Sequence, residues 1–222
     1  FELDANSAIF SSVEDFIAWK PTSTDEQSPK LKAIQLYQKL LTFHANDDDR
    51  SAFLDADLAR LQFGYANAVG DEKADRYIAA LKRFAGANIA HELSAQAFLR
   101  WANVLVEKSE LVEAISVAKQ GVAAHPESVG GKHCANLIAQ IESKSIQITT
   151  ERVWSDPPSK IRATYKNITK LHFRIHAADW RALVRDTKRS PAYLQPSEIA
   201  TVIRSNPVRA WSIDLPATED YE

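Results

Sequence analysis

An α+β chain in two parts is what the sequence predicts: helix pairs stacked as an α-α superhelix over residues 1–143, then an antiparallel β-sandwich-like domain over residues 144–222. Three observations carry this expectation. Before residue 143, apolar residues recur at three- and four-residue steps, as one buried helical stripe requires. After Lys144 the period drops to two, which gives each run one dry face and one wet face. The chain of 222 residues, 45% hydrophobic and 25% charged, is also long enough for one large or two small globular domains.

SSVEDFIAWK near the start reads as a first helix, ended by Pro21, and PTSTDEQSP as a polar loop. In SPKLKAIQLYQKLLTFH the buried stripe is Leu31, Ile34 and Leu41, with Tyr37 and Leu40 as its neighbours. In AFLDADLARLQFGYANAVG it is Leu54, Leu58, Leu61 and Tyr65. In DEKADRYIAALKRFAGAN it is Ala74, Tyr77, Ile78, Leu81 and Phe84, and Asp71 and Glu72 stand where a helix N-terminus favours negative charge.

Residues 93–128 hold the clearest repeat signal. Ser94 is the expected N-cap, and large and small positions run Phe98, Trp101, Ala102, Leu105, Ala114, Ala118 and Gly121 to Pro126. This resembles a tetratricopeptide repeat, in which small residues let two antiparallel helices pack closely and proline closes the second. Two positions depart from that pattern: Ala102 stands where a glycine is expected, and Gly121 replaces the usual alanine. VGGKHCANLIAQIESK, with Cys134, Leu137, Ile138 and Ile141, reads as a closing helix over the last pair.

In the second part, SIQITT alternates Ile146 and Ile148. KIRATYK alternates Ile161, Ala163 and Tyr165, LHFRIH alternates Leu171, Phe173 and Ile175, and RAWSIDLP places Trp211, Ile213 and Leu215 on one side. NIT at 167–169 is expected to turn between the second and third runs, Pro157 and Pro158 to close the first connection, and SEIATVIRS to form a short helix.

The order SIQITTE, PPSKIRATYKN, LHFRI and then WSIDLPATEDY resembles the first macroglobulin-type β-domain of bacterial α2-macroglobulin family proteins. YQKLLTFH and DLARLQFGY resemble the helical leader of the versions found in Bacteroides-like bacteria. The resemblance implies a non-catalytic scaffold and interaction region of an exported, periplasmic or envelope-associated protease-trapping protein, with its signal peptide removed and its β-domain truncated at the C-terminus. The implied partners are downstream β-domains of the same polypeptide, target proteases or a cell-envelope protein. The thioester motif of such proteins, Cys-x-Glu-Gln, is not met here, because Cys134 is followed by Ala-Asn-Leu. The alternative is a self-contained tetratricopeptide-type adaptor that holds a peptide or protein partner.

No catalytic, cofactor-binding or metal-binding residue is assigned. Net charge −2 and pI near 6.3 give no general attraction to nucleic acid or anionic membrane. No apolar run approaches the roughly 18 residues of a membrane span. FELDANSAIF lacks a signal peptide's layout, and the absence of methionine suggests an excised piece. On a strand, His172 and His176 share a face but sit roughly 13 Å apart, too far to chelate one ion. His133 and Cys134, adjacent on a helix, point about 100° apart. HANDDDRSAFLDAD lacks the glycine and glutamate of a calcium loop and is expected to cap a helix instead. VGGKH shares only Gly-Lys with a phosphate loop. Trp154, Trp180 and Trp211 are expected in a core or at a domain interface.

Overall fold

A computed structural model describes residues 1–150, 160–177, 179, 181, 185, 195–216, 220 and 221. The chain divides into two units whose main spans are Phe1–Ser143 and Lys144–Asp220. It is a mixed α+β protein with a helical N-terminal region and small antiparallel sheets after it.

The first unit runs β1 (Leu3–Asp4), a 3-10 turn (Ala8–Phe10), α1 (Val13–Ala18), α2 (Pro29–Phe43), α3 (Ser51–Asn67), β2 (Ala68–Val69), α4 (Lys73–Ala87), α5 (Leu93–Glu107), α6 (Leu111–Ala124) and α7 (Val129–Glu142). The Ser12 hydroxyl caps α1 by accepting the Asp15 N–H at 3.1 Å, while Glu14 and Asp15 complement the positive helix end. Pro29 opens α2, where its missing N–H costs nothing. The α5–α6 connection closes as a Schellman motif: Ser109 takes φ 59°, its N–H reaches the Val106 carbonyl at 3.0 Å, and the Glu110 N–H reaches that of Leu105 at 2.8 Å. So short a link folds α6 back beside α5, and α7 packs on both.

Most predicted stripe residues form the core: Leu31, Ile34, Leu41, Leu54, Leu58, Leu61, Tyr77, Ile78, Leu81, Phe84, Phe98, Leu105 and Cys134 are all buried. Tyr37, Tyr65, Ala74, Trp101, Leu137 and Ile138 are half-buried against that core, and Leu40 is exposed. It lies about 100° round the helix from Leu41 and is 37% exposed. Ser94 is not the N-cap of α5. That position falls to Glu92, and Ser94 is buried in the first turn with its hydroxyl toward the Ile89 carbonyl at 3.4 Å.

Two glycines set how closely the last helices approach. A Cβ on Gly121 would lie 2.7 Å from the Cys134 sulfur, and one on Gly130 would lie 2.5 Å from the Gln96 nitrogen. The glycine at the expected alanine position of α6 therefore makes room for the thiol of α7, and VGGKH is a packing motif against α5.

The N-terminal residues enter this core, which their sequence does not suggest. Leu3, Ala5, Ile9 and Phe10 are buried, and β1 pairs in parallel with β2, Leu3 opposite Ala68 and Asp4 opposite Val69.

The second unit contains β3 (Ser145–Thr150), β4 (Ile161–Lys166), β5 (Lys170–Ile175), α8 (Pro196–Arg204) and β6 (Arg209–Asp214). β3 and β4 are antiparallel with Ile146 opposite Tyr165, Ile148 opposite Ala163 and Thr150 opposite Ile161, so these six side chains share one face. β5 and β6 are antiparallel with Leu171 opposite Ile213 and Phe173 opposite Trp211. Asn167, at φ 54°, begins the link from the first pair to the second. The expected closure at Pro157 and Pro158 lies outside the described residues. Among the described residues, none beyond Ile141 is buried.

Candidate functional site

The residues weighed as ligands or nucleophiles do not come together. His172 lies on the polar face of its sheet opposite Ser212, and the His176 Nδ1 pairs with the Ser205 hydroxyl at 3.1 Å. Among the described residues, no group of three or more His, Cys, Asp or Glu side chains is placed to hold a metal ion. Cys134 is buried, and that burial pushes its thiol up to about 11, which keeps it protonated and unreactive near neutrality. His133, its neighbour, points to solvent.

The acidic run after α2 is engaged locally. Asp47 pairs with the His44 Nδ1 at 2.6 Å, and Asp49 accepts the Ser51 N–H at 2.9 Å, its Ser51 contacts holding the carboxyl below its ordinary value. Trp154 and Trp180 lie outside the described residues. Trp211 stacks on Phe173 with ring centroids 5.1 Å apart and the Arg209 guanidinium 5.4 Å from its ring.

Among the described residues, the most enclosed charged side chain is Arg60, only 1% exposed. Its Nε donates to Asp57 at 2.8 Å, its Nη2 also reaches Asp57, and its Nη1 donates to the carbonyls of Ile9 at 2.8 Å and Ser11 at 3.2 Å. Arg83 donates to the intervening carbonyl of Phe10. Burial raises the Asp57 carboxyl and lowers the Arg60 guanidinium from their ordinary values, and each opposes the effect on the other through their ion pair. Beside the pair opens a cleft of about 240 Å³ with Val13, Phe53 and Phe84 in its walls and Arg50 and Arg83 at its polar side. Its chemistry is that of a clamp: two guanidinium groups hold three successive carbonyls, those of Ile9 and Phe10 in the 3-10 turn and of Ser11 just after it. Arginine in a stripe of leucines, at an i, i+3 spacing from an aspartate, was the only sequence signal for it.

The other notable surfaces are apolar and exposed. On β3–β4, Ile146 is 45% and Ile148 47% exposed, with Ile161 beside them. On β5–β6, Ile175, Trp211 and Ile213 are exposed. On α2, Leu36 and Phe43 are 64% and 77% exposed on the side away from the core. Exposed apolar surfaces of this kind are suited to burying area against another structure.

No family model, no curated protein and no solved structure matches the chain. Among the described residues no helix is long and apolar enough to cross a membrane.

Proposed function

We propose that this chain is a non-catalytic scaffold and interaction region of an exported α2-macroglobulin-like, protease-trapping protein of the bacterial periplasm or envelope. In this reading α5, α6 and α7 belong to a tetratricopeptide-like α-α superhelix. The strand pairs belong to a macroglobulin-type β-sandwich that packs against downstream β-domains of the same polypeptide. One observation supports the reading: among the described residues, the strands carry their large apolar side chains on one face, and Ile146, Ile148, Ile161, Ile175 and Ile213 on those faces are exposed. A solitary two-stranded sheet is marginal in water, so such a face is kept for a neighbour that buries it. The mechanism is surface burial between modules, with no bond made or broken.

The reading frame beyond Glu222 supplies the first test. It is expected to continue into several β-domains, and a stop codon soon after Glu222 would reject the scaffold reading. In the extended polypeptide, Ile148→Lys is expected to detach the strand region, seen as new tryptic cleavage between residues 144 and 222. The same substitution leaves the helical unit's melting temperature unchanged. Unaltered cleavage in the extended protein would contradict the proposal.

A further inference from the structure

The cleft beside Arg60 and Asp57 joins charges of both signs to apolar walls. Val13, Phe53 and Phe84 form the walls, Arg50 and Arg83 supply positive charge, and Glu14 and Asp57 supply negative charge. All of these residues belong to the helical unit.

The charged groups have capacity to spare. An arginine carries five N–H donors. Arg50 gives one, from Nη1, to the Ala45 carbonyl at 2.7 Å, and its guanidinium is held over the Phe53 ring, 3.9 Å from the centroid. Arg83 gives one, from Nη2, to the Phe10 carbonyl. Both hydrogen bonds between Arg60 and Asp57 end on Oδ1, and among the described residues no donor bonds to Oδ2. Asp57 is only 7% exposed, so a donor arriving at Oδ2 comes by way of the cleft that Asp57 lines.

Size and charge together select the occupant. A volume of about 240 Å³ holds about eight water-sized groups, close to the non-hydrogen atoms of leucine, and falls below the roughly 300 Å³ at which pockets for drug-sized molecules begin. A simple anion would meet the carboxylates of Asp57 and Glu14, and a simple cation would meet the guanidinium groups. A neutral apolar molecule would take water from both sets and return no hydrogen bond. An apolar α-amino acid carries one carboxylate, one ammonium and one apolar side chain within the available size. Either end of a peptide carries only one of the two charges.

We infer that this cleft is a binding site for a free apolar α-amino acid such as leucine, with its carboxylate on Arg50 and Arg83, its ammonium on Asp57 and Glu14, and its side chain between Phe53 and Phe84. Arginine forks match the planar carboxylate, and the apolar walls exclude water from the charged contacts. The ligand bridges Glu14 of α1, Asp57 of α3 and Arg83 of α4, so its binding stabilises the helical unit. The site lies wholly within that unit and does not depend on the scaffold reading.

Isothermal titration calorimetry of the full chain tests this. Leucine is expected to bind one to one with a Kd below about 1 mM. N-acetyl-leucine lacks the ammonium and leucinamide lacks the carboxylate, and each should bind weaker by roughly tenfold or more. Glycine, which lacks the side chain, should lose about as much. Arg50→Gln and Glu14→Gln should each weaken leucine binding severalfold. Both side chains are exposed, so far-UV circular dichroism should be unchanged. Leucine that fails to bind saturably below that limit would overturn the inference. N-acetyl-leucine as tight as leucine would replace it with a carboxylate site of the kind that takes a peptide C-terminus, and leucinamide as tight would replace it with a cation site. Leucine binding indifferent to both substitutions would place the ligand elsewhere and reject the assignment.

Discussion

The guanidinium of Arg60, in the middle of α3, donates at 2.8 Å to the carbonyl of Ile9, fifty-one positions earlier in the chain. That bond, with those to Ser11 and Asp57, turns the start of the protein from a loose end into part of the helical core. Arg60→Ala should therefore be strongly destabilising, by about 3–5 kcal/mol, because it leaves the Asp57 charge buried without its partner. The double variant Arg60→Met, Asp57→Leu should recover part of the loss. The remaining deficit of about 1–3 kcal/mol reflects carbonyls left without donors. Urea denaturation followed at the helical circular-dichroism band reads both values, and equal losses in the single and double variants would refute the ion pair's role.

Gly121 and Cys134 make a second coupled pair. Gly121→Ala should cost about 1–3 kcal/mol by overpacking against the sulfur 2.7 Å from the added carbon. In the Cys134→Ala background the cost should be smaller, since the sulfur is gone and only the Phe98 contact at 3.1 Å remains tight. A double-mutant cycle measures the difference, and strict additivity would show that the two helices do not meet there.

The buried Cys134 thiol, raised to about 11, should react with a disulfide reagent at pH 8 only when the helices open. Labelling is expected to be slow in buffer and complete within mixing time in concentrated urea. Immediate labelling of the native protein would contradict the packing of α7.

Burial, followed by the hydrogen bond to Glu107 at 2.5 Å, pushes the Tyr65 phenol up to about 12. Since the folded value lies above the unfolded one, the stability Tyr65 contributes is fully present below about pH 10 and is lost as pH rises through about 12. Tyr65→Phe should be less sensitive across that window than the wild type. Melting temperatures between pH 9 and 12 decide it, and parallel curves for the two proteins would refute the assignment.

The repeating parts of the fold were legible because their signal is periodic. Three- and four-residue spacing placed α2 to α7, and strict alternation placed β3, β4, β5 and β6 close to their observed limits. Single contacts were not legible. FELDANSAIF has no period, and what buries Leu3 and Ile9 is a guanidinium from α3 and a two-residue parallel bridge, both long-range. Ser94 looked like a cap because serine caps are local, yet it is Ser12 and Ser128 whose hydroxyls accept helix N–H groups, from Asp15 at 3.1 Å and Gly131 at 3.0 Å, while Ser94 is drawn into the helix by packing. The exposed side of α2, with Leu36 and Phe43, was not read at all. Leu40 was assigned to the core side although the 100° step sets it toward Leu36 and Phe43.

Hydrogen exchange in this chain tests the central claim, that the strands present apolar faces awaiting a neighbour. Amides of Ser145–Thr150, Ile161–Lys166, Lys170–Ile175 and Arg209–Asp214 should exchange orders of magnitude faster than those of α5, α6 and α7, and should become protected in a polypeptide extended by the β-domains proposed above. Strand amides as slow as those of the helices in this chain alone would mean that a core already covers these faces, and the account would be wrong.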